Sequence, residues 1–148
     1  MTVQNILIIE DSDDDFEATE RAFNRDGTFA NPLLRFDNGK DALDYLFNRS
    51  PYEDRSANPA PAIILLDLNL PGIDGRQILT ELKSHESTQK IPVVIMTTSD
   101  DQRDVDISYA QGANSYIRKP VAVEELFRTI QLFKEYWLGV AILPRAGE

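Results

Sequence analysis

Five short apolar runs, most of them followed by a stretch with helical periodicity, constrain the fold of this chain more than any other feature. The third run, residues 62–66, is too short for a helix and is soon followed by Pro71 and Gly72. Such a run is typical of a strand buried on both faces, as in a parallel sheet covered by helices. Because strands and helices alternate along the chain, the sequence predicts an α/β fold with a five-stranded parallel sheet.

The elements can be placed from the apolar runs and the residues between them. Strands are predicted at 6–9, 33–36, 62–66, 92–96 and 115–118, with a proline-bearing surface loop at 48–61. The first helix follows the first strand, where Ser12 or Asp13 can cap it. The last helix, at about 123–137, is the most periodic, and its predicted core stripe comprises Val123, Leu126, Phe127, Ile130, Phe133 and Trp137.

Length and charge limit the class of protein. A chain of 148 residues is long enough for one domain with its own core. The formal net charge of -10 argues against nucleic acid or an anionic membrane surface as a partner. The absence of cysteine excludes disulfide and thiol chemistry. Because no apolar run is long enough to span a membrane and no signal-peptide pattern opens the chain, we expect a cytoplasmic protein.

Polar side chains follow four of the predicted strands. Glu10 and Asp11 follow the first strand, Asp67 the third, Thr97 the fourth and Lys119 the fifth. The carboxyl ends of parallel strands lie along one edge of a sheet, where α/β proteins bind their ligands, so we expect these side chains to converge. Asp67 is the strongest candidate for a reactive group, because packing alone poorly explains a carboxylate at the end of a buried strand.

This set of side chains suits phosphoryl transfer. Clustered carboxylates are tolerated at neutral pH only if positive charge lies among them. Oxygen ligands without Cys or a nearby His favour a hard cation, Mg²⁺ first, and Lys119 supplies a second positive charge. Thr97 can donate a hydrogen bond to a phosphoryl oxygen. The chemistry best matched to these groups is transfer of a phosphoryl group onto Asp67.

Five motifs occur in a fixed order along the chain. They are Ile8-Ile9-Glu10-Asp11, Leu65-Leu66-Asp67-Leu68-Asn69-Leu70-Pro71-Gly72 with Asp74-Gly75, Met96-Thr97-Thr98, Gly112-Ala113 and Tyr116-Ile117-Arg118-Lys119-Pro120. In this order and spacing the chain, from about residue 3 to residue 137, resembles the receiver domains of two-component response regulators. The resemblance implies a flavodoxin-like, doubly wound sheet of strand order 2-1-3-4-5, with helices on both faces.

The resemblance also implies roles for the site residues. Asp67 would accept a phosphoryl group from a histidine kinase. Asp11 and Asp67 would bind Mg²⁺ directly, Glu10 would bind it through water, and the Asn69 backbone carbonyl would complete the protein ligands. The domain would catalyse its own phosphorylation and dephosphorylation without being a turnover enzyme.

A conformational switch is a further implication of the resemblance. Thr97 would follow the phosphoryl group, and Tyr116 would turn inward as it moves. The surface of the fourth helix, fifth strand and fifth helix would then change, which is a local charge event acting on a bistable packing element. The resemblance further implies a cis peptide bond between Lys119 and Pro120.

Other functions compete with this interpretation. Haloacid-dehalogenase-like phosphatases also use an aspartate nucleophile, Mg²⁺ and a lysine, but Asn69 replaces the acid that would protonate their leaving group. A flavodoxin-like or nucleotide-binding module is disfavoured, because no glycine-rich phosphate motif follows the first strand. A receiver-like module that binds proteins without phosphorylation stays open. Three acids in the first helix, Asp13, Asp14 and Asp15, are interpreted as surface charge that complements the helix dipole.

The end of the chain is unusual for a minimal receiver. We place the receiver domain at 1–137 and an apolar extension at 138–148. Leu132 and Tyr136 lie off the core stripe of the last helix, and contiguous apolar surface usually marks an interface, so we expect a homodimer through this end. The alternative is a tail that folds back over its own domain. This ending resembles small stand-alone receivers that pair with bacterial phytochrome histidine kinases. With no output domain in the sequence, the signal would leave by protein contact or onward phosphoryl transfer.

Overall fold

The computed structural model of the protein describes residues 4–27 and 29–144. Strands and helices alternate, and each apolar run of the sequence forms one strand. The strands are β1 (Ile6–Ile9), β2 (Leu33–Phe36), β3 (Ile63–Leu66), β4 (Val93–Thr97) and β5 (Ser115–Arg118). The helices are α1 (Asp13–Phe23), α2 (Gly39–Leu46), α3 (Gly75–Ser84), α4 (Gln102–Ala110) and α5 (Val123–Phe133), and a π-helical segment (Lys134–Val140) continues α5.

All strand pairs are parallel, and the sheet has the order β2-β1-β3-β4-β5. The predicted α/β fold and the strand order implied by the resemblance are therefore confirmed. The register pairs Ile9 with Leu66 and Leu66 with Ile95, so the three central strands end close together. Side chains that follow these strands are thereby delivered to one edge of the sheet, as the βαβ arrangement requires.

The sheet separates two apolar cores. One lies beneath α2 and α3 and includes Ile78, Leu79 and Leu82. The other lies beneath α1 and α5 and includes Phe23 and Phe133, whose rings meet edge to face at 5.8 Å. β1, β3 and β4 are buried along their whole lengths because helices cover both faces of the sheet. This rigid centre fixes the positions of the side chains at the strand ends.

Gly75 allows α3 to begin directly against the end of β3. A Cβ atom at this position would lie 2.2 Å from the Asp67 carbonyl oxygen and 2.6 Å from the Leu68 Cα. The Gly75 N–H also donates to the Leu68 carbonyl at 3.0 Å. Only glycine permits this close approach, so the helix supports the backbone that carries Asp67.

The end of α5 differs from the sequence-based expectation. The predicted helix at 123–137 is α-helical only to Phe133, and the π-helical segment then extends it to Val140. Apolar periodicity does not report the change from α-helix to π-helix, because that change concerns which carbonyl each backbone N–H bonds to. Val123, which we placed in the core stripe, is 60% exposed, because the first turn of α5 faces solvent and burial begins only at Leu126.

The structure also identifies the cap of α1 and the position of a cis peptide bond. Ser12 is the residue that caps α1, its Oγ accepting from the Asp15 N–H at 3.1 Å. In the described residues the single cis peptide bond joins Ser50 to Pro51, so the cis bond expected before Pro120 is absent. Across residues 4–27 and 29–144, none of the helices has the length and apolar character needed to cross a membrane.

Candidate functional site

Asp67 directly follows β3, and groups from three other positions reach its carboxylate. Lys119, directly after β5, places its Nζ 2.8 Å from Asp67 Oδ2. Thr97, the last residue of β4, donates from Oγ1 to Asp67 Oδ1 at 2.9 Å. The Asn69 backbone N–H donates to the same oxygen at 3.0 Å. Because Asp67 and Thr97 are buried, these contacts form away from bulk water, where they are strong.

Lys119 is the positive centre of this site. Besides Asp67, its ammonium contacts Glu10 Oε1 and lies 3.0 Å from Asp15 Oδ2. Glu10 is buried, and its second carboxylate oxygen accepts from the Ser12 N–H at 3.2 Å. One ammonium thus faces three carboxylates, which leaves the site with an excess of negative charge.

The environment separates the pKa values of the two buried acids. Burial raises the pKa of Glu10 to about 7, although the Lys119 ammonium opposes that shift. Burial acts in the same direction on Asp67, but hydrogen bonds from Lys119, the Asn69 N–H and Thr97 together hold its pKa below the usual value. Burial would lower the pKa of Lys119, yet its hydrogen bonds to the carboxylates raise it above the usual value. At neutral pH Asp67 is therefore ionised and Lys119 is charged.

Glu10, Asp11 and Asp67 form an acidic cluster suited to a cation. One carboxylate oxygen from each residue lies within 4.8 Å of the other two. Glu10 and Asp67 are buried whereas Asp11 is exposed, so the cluster opens to solvent on one side. Oxygen donors with access for water suit a hard divalent cation. The residues present therefore fit such an ion; the Asn69 carbonyl as a further ligand stays a prediction.

Tyr116, for which the resemblance implies a switch, is joined to the site indirectly. Its hydroxyl donates to the Ser99 carbonyl at 2.9 Å, and its ring packs against the core beneath α2 and α3. The Ser99 hydroxyl donates to Asp104 Oδ2 at 2.7 Å, and Arg76 Nη2 lies 2.9 Å from Asp104 Oδ1. The segment after β4 is therefore held from both β5 and α3, and the switch role of Tyr116 stays a prediction.

Two residues that the sequence analysis did not assign to the site contact it. Asp15, interpreted as helix-dipole charge, contacts Lys119; its place in the first turn after the acidic pair could have indicated this. Arg35 donates from Nε and Nη2 to the Glu10 carbonyl at 3.1 and 3.0 Å. No local pattern in β2 indicates the contact between Arg35 and the Glu10 carbonyl, because this contact depends on the register between β1 and β2.

Comparison with known proteins agrees with this geometry. The family model described as the response regulator receiver domain matches residues 6–131, and receiver domains are in general not turnover enzymes. The chain is 40% identical over 134 residues to the probable methanogenesis regulatory protein FilR2 of Methanothrix harundinacea, covering 90% of this chain and 83% of that protein. It is 36% identical over 141 residues to the response regulator Rcp1 of Synechocystis, covering 95% and 93% of the two chains.

Solved structures give the same result. The phosphorylated cyanobacterial phytochrome response regulator RcpA superimposes with a TM-score of 0.90 at 34% identity, covering 97% of this chain and 100% of that one. The Mn²⁺-bound form of Rcp1 superimposes with a TM-score of 0.88 at 35% identity, covering 96% and 99%. A relative with a bound divalent ion and the acidic cluster of this chain together indicate a divalent-metal site. The chain belongs to the response-regulator receiver family, whose function is phosphorylation-based signalling.

Proposed function

We propose that this protein is a response regulator whose Asp67 accepts a phosphoryl group from a histidine kinase. The observation that carries the proposal is the convergence of Lys119 and Thr97 on the Asp67 carboxylate, at 2.8 and 2.9 Å. Its lowered pKa keeps Asp67 ionised at neutral pH, as a nucleophile requires. Family membership supports the same assignment.

The transfer itself needs little covalent chemistry from the protein. An Asp67 oxygen forms a bond to phosphorus as the phosphorus–nitrogen bond of the kinase phosphohistidine breaks. The imidazole nitrogen keeps the electron pair of that bond and then takes a proton from solvent, leaving an aspartyl phosphate. Lys119 and Thr97 already contact the carboxylate, so they are placed to interact with the phosphoryl oxygens that arrive there.

A divalent cation, which we assign as Mg²⁺, completes the site. Asp11 and Asp67 would bind it directly, Glu10 through water and Asn69 through its backbone carbonyl. When bound, the ion neutralises the charge that spreads over the phosphoryl oxygens. Asn69 cannot donate a proton as a carboxylic acid would, so the chain lacks the group that would make it a phosphatase of the haloacid-dehalogenase type.

Phosphorylation would be read out through Thr97 and Tyr116. Thr97 Oγ1 donates a hydrogen bond to Asp67, so a phosphoryl group on Asp67 offers the Thr97 hydroxyl a new acceptor. Tyr116 holds the Ser99 carbonyl, two residues beyond Thr97. A shift of this segment would therefore change the surface that α4, β5 and α5 present to a partner.

We further propose a receiver domain at 1–137 and an interface formed by the end of the chain. Four side chains there are exposed and define the C-terminal apolar surface: Leu132 at 52%, Tyr136 at 54%, Val140 at 73% and Ile142 at 99%. Exposed apolar residues grouped in this way favour a homodimer. The likeness to Rcp1 and RcpA supports a phytochrome-type kinase as the partner. The acidic charge supports neither nucleic acid nor membrane as a partner.

Intact mass spectrometry after incubation with acetyl phosphate and Mg²⁺ tests the central proposal. We expect one phosphoryl adduct that requires the metal and is lost in Asp67→Asn. Asp100→Asn is the matched control, because Asp100 is an exposed aspartate near the end of β4 that pairs with Arg118. An adduct that survives in Asp67→Asn would overturn the proposal. So would a folded wild-type protein that takes up no phosphoryl group from acetyl phosphate or from a phosphorylated histidine kinase.

A further inference from the structure

Arg35 connects β2 to the backbone of the acidic pair Glu10-Asp11. Its guanidinium donates from both Nε and Nη2 to the Glu10 carbonyl oxygen, at 3.1 and 3.0 Å. It also lies 4.9 Å from the centre of the Phe16 ring and places Nη1 2.8 Å from Asp13 Oδ1. One side chain of the edge strand thus contacts three residues of the segment that leads from β1 into α1.

We infer that Arg35 is a positioning residue for the divalent-metal site, acting through the backbone of Glu10. This inference rests on the proposed function, because it concerns the cation that the acidic cluster would hold. The Glu10 N–H donates to the Phe36 carbonyl at 3.0 Å, while the Glu10 carbonyl accepts from Arg35. Both sides of this residue are therefore fixed by β2.

The peptide plane that Arg35 holds is the one that leads into Asp11. Asp11 is exposed, whereas Glu10 and Asp67 are buried and held by Lys119. The orientation of the Asp11 carboxylate toward the other two therefore depends mainly on its own backbone. A forked guanidinium that fixes the preceding carbonyl limits rotation of this peptide plane, as a single ammonium donor does not.

The contact with Asp13 contributes little to this effect. The Asp13 side chain is 89% exposed, and ion pairs of that exposure add little to stability. The Arg35 side chain is 22% exposed, so its bonds to the Glu10 carbonyl are better shielded from water. The positioning effect therefore resides in the two bonds to the carbonyl.

Charge and positioning predict opposite results when Arg35 is replaced. As a nearby cation, Arg35 repels a divalent ion, so removal of its charge alone would tighten binding. As a positioning residue it organises the ligands, so its removal weakens binding. Groups that orient metal ligands contribute about 10- to 100-fold to affinity, and we expect about 10-fold here because the contact is to the backbone.

The test is calorimetric titration of the unphosphorylated protein with Mn²⁺, comparing wild type with Arg35→Lys and Arg35→Gln. Lysine keeps the charge but loses the fork, and glutamine loses both. We expect both variants to bind Mn²⁺ about tenfold more weakly than wild type. Arg55→Lys is the matched control, since Arg55, on the loop after α2, is also half-buried and donates to two backbone carbonyls, those of Asn58 and Leu46.

Each outcome decides the inference. Weakening of threefold or more in both Arg35 variants, with Arg55→Lys unchanged, supports it. Tighter binding in Arg35→Gln, near-wild-type binding in Arg35→Lys, or equal weakening in Arg55→Lys overturns it. Arg35 lies on the edge strand, so we expect folded variants, which far-UV circular dichroism checks. Failure of wild type to bind Mn²⁺, or persistence of binding in Asp11→Asn, would instead overturn the proposed metal site.

Discussion

The site at the strand ends and the C-terminal apolar surface differ in how their side chains are covered: the first set is paired within the chain, and the second is exposed to solvent. At the strand ends, the buried acids Asp67 and Glu10 and the partly buried Lys119 are matched to one another within the chain. On the C-terminal apolar surface, Tyr136 meets Trp137 edge to face at 5.0 Å but stays half exposed, and Ile142 is almost fully exposed. The first region is preorganised for chemistry, whereas the second presents exposed apolar area of the kind that usually marks an interface.

The proposed phosphoacceptor site and the proposed interface should therefore respond differently to substitution. Substitutions at the strand ends act on charges already in contact, so we expect large effects on phosphorylation that do not depend on protein concentration. Substitutions on the C-terminal apolar surface remove area that is in water in the monomer, so their effects should depend on concentration.

The largest effect is expected from Lys119→Met. Its ammonium is the positive group that contacts Asp67, and removal of one such preorganised contact typically slows a reaction about 10²- to 10³-fold. We expect a slowing of about 10²-fold or more in phosphorylation by acetyl phosphate, measured by intact mass against time. Lys83→Met is the matched control, because Lys83 is half-buried and donates to the Gln89 and Ile91 carbonyls away from the site. Similar slowing in both variants would contradict the assignment of Lys119.

The sequence predicted these main contacts because parallel strands end together. Asp67, Thr97 and Lys119 each follow an apolar run, so strand placement alone brought them to one edge of the sheet. Asp15 was missed because its contact with Lys119 depends on how the first turn of α1 faces the end of β5. Arg35 was missed because its contact with the Glu10 carbonyl depends on the register between the neighbouring strands β1 and β2.

Backbone detail near the end of the chain was less predictable. The apolar stripe of the last helix continues smoothly, so nothing in it marked the change to π-helix at Lys134. Val123 fits the stripe by spacing, but the first turn of the helix is exposed and burial begins only at Leu126. Periodicity reports which face of a helix is apolar, and it does not report where the covering layer ends.

The next effect in size concerns the C-terminal apolar surface. Leu132→Ser should weaken a homodimer about 5- to 30-fold, which corresponds to the 1–2 kcal/mol typical of important interface residues. Sedimentation velocity over a range of concentrations measures this, with and without phosphorylation. Ile107→Ser is the matched control, because Ile107 on α4 is 46% exposed against 52% for Leu132. A wild-type protein that stays monomeric well above micromolar concentration in both states would refute the interface.

An effect of about tenfold is expected from pH. Below a pKa of about 7, Glu10 is mostly protonated in the cation-free protein, so a divalent ion must displace that proton. Mn²⁺ affinity should therefore fall about tenfold for each pH unit below 7 and level off above it. Asp67 adds no second proton there, because its pKa is lowered. Glu10→Gln should flatten the profile, and a profile unchanged by that substitution would exclude Glu10 as its origin.

The same raised pKa gives a sign for stability. The folded cation-free protein holds the Glu10 proton more tightly than the unfolded chain, whose value is near 4.5. The stability that Glu10 contributes is therefore full below pH 4.5 and is lost as pH rises through about 7. Urea unfolding of wild type and Glu10→Gln across this range measures the free energy of unfolding. Its dependence on pH should be flatter in the variant.

The smallest effect is expected from Tyr116→Phe. This substitution tests whether the Tyr116 hydroxyl holds the segment after β4 next to the site at the strand ends. This substitution keeps the ring and removes the hydrogen bond to the Ser99 carbonyl. We expect the free energy of unfolding to fall by about 1 kcal/mol, because water can partly replace a bond at a half-exposed position. Tyr136→Phe is the matched control, since the Tyr136 hydroxyl makes no hydrogen bond in residues 4–27 and 29–144. In dilute protein that control should unfold like wild type. Equal losses in the two variants would mean that the Tyr116 hydroxyl does not hold the segment after β4, and the path proposed from Asp67 to the surface of α4 and β5 would then need another connection.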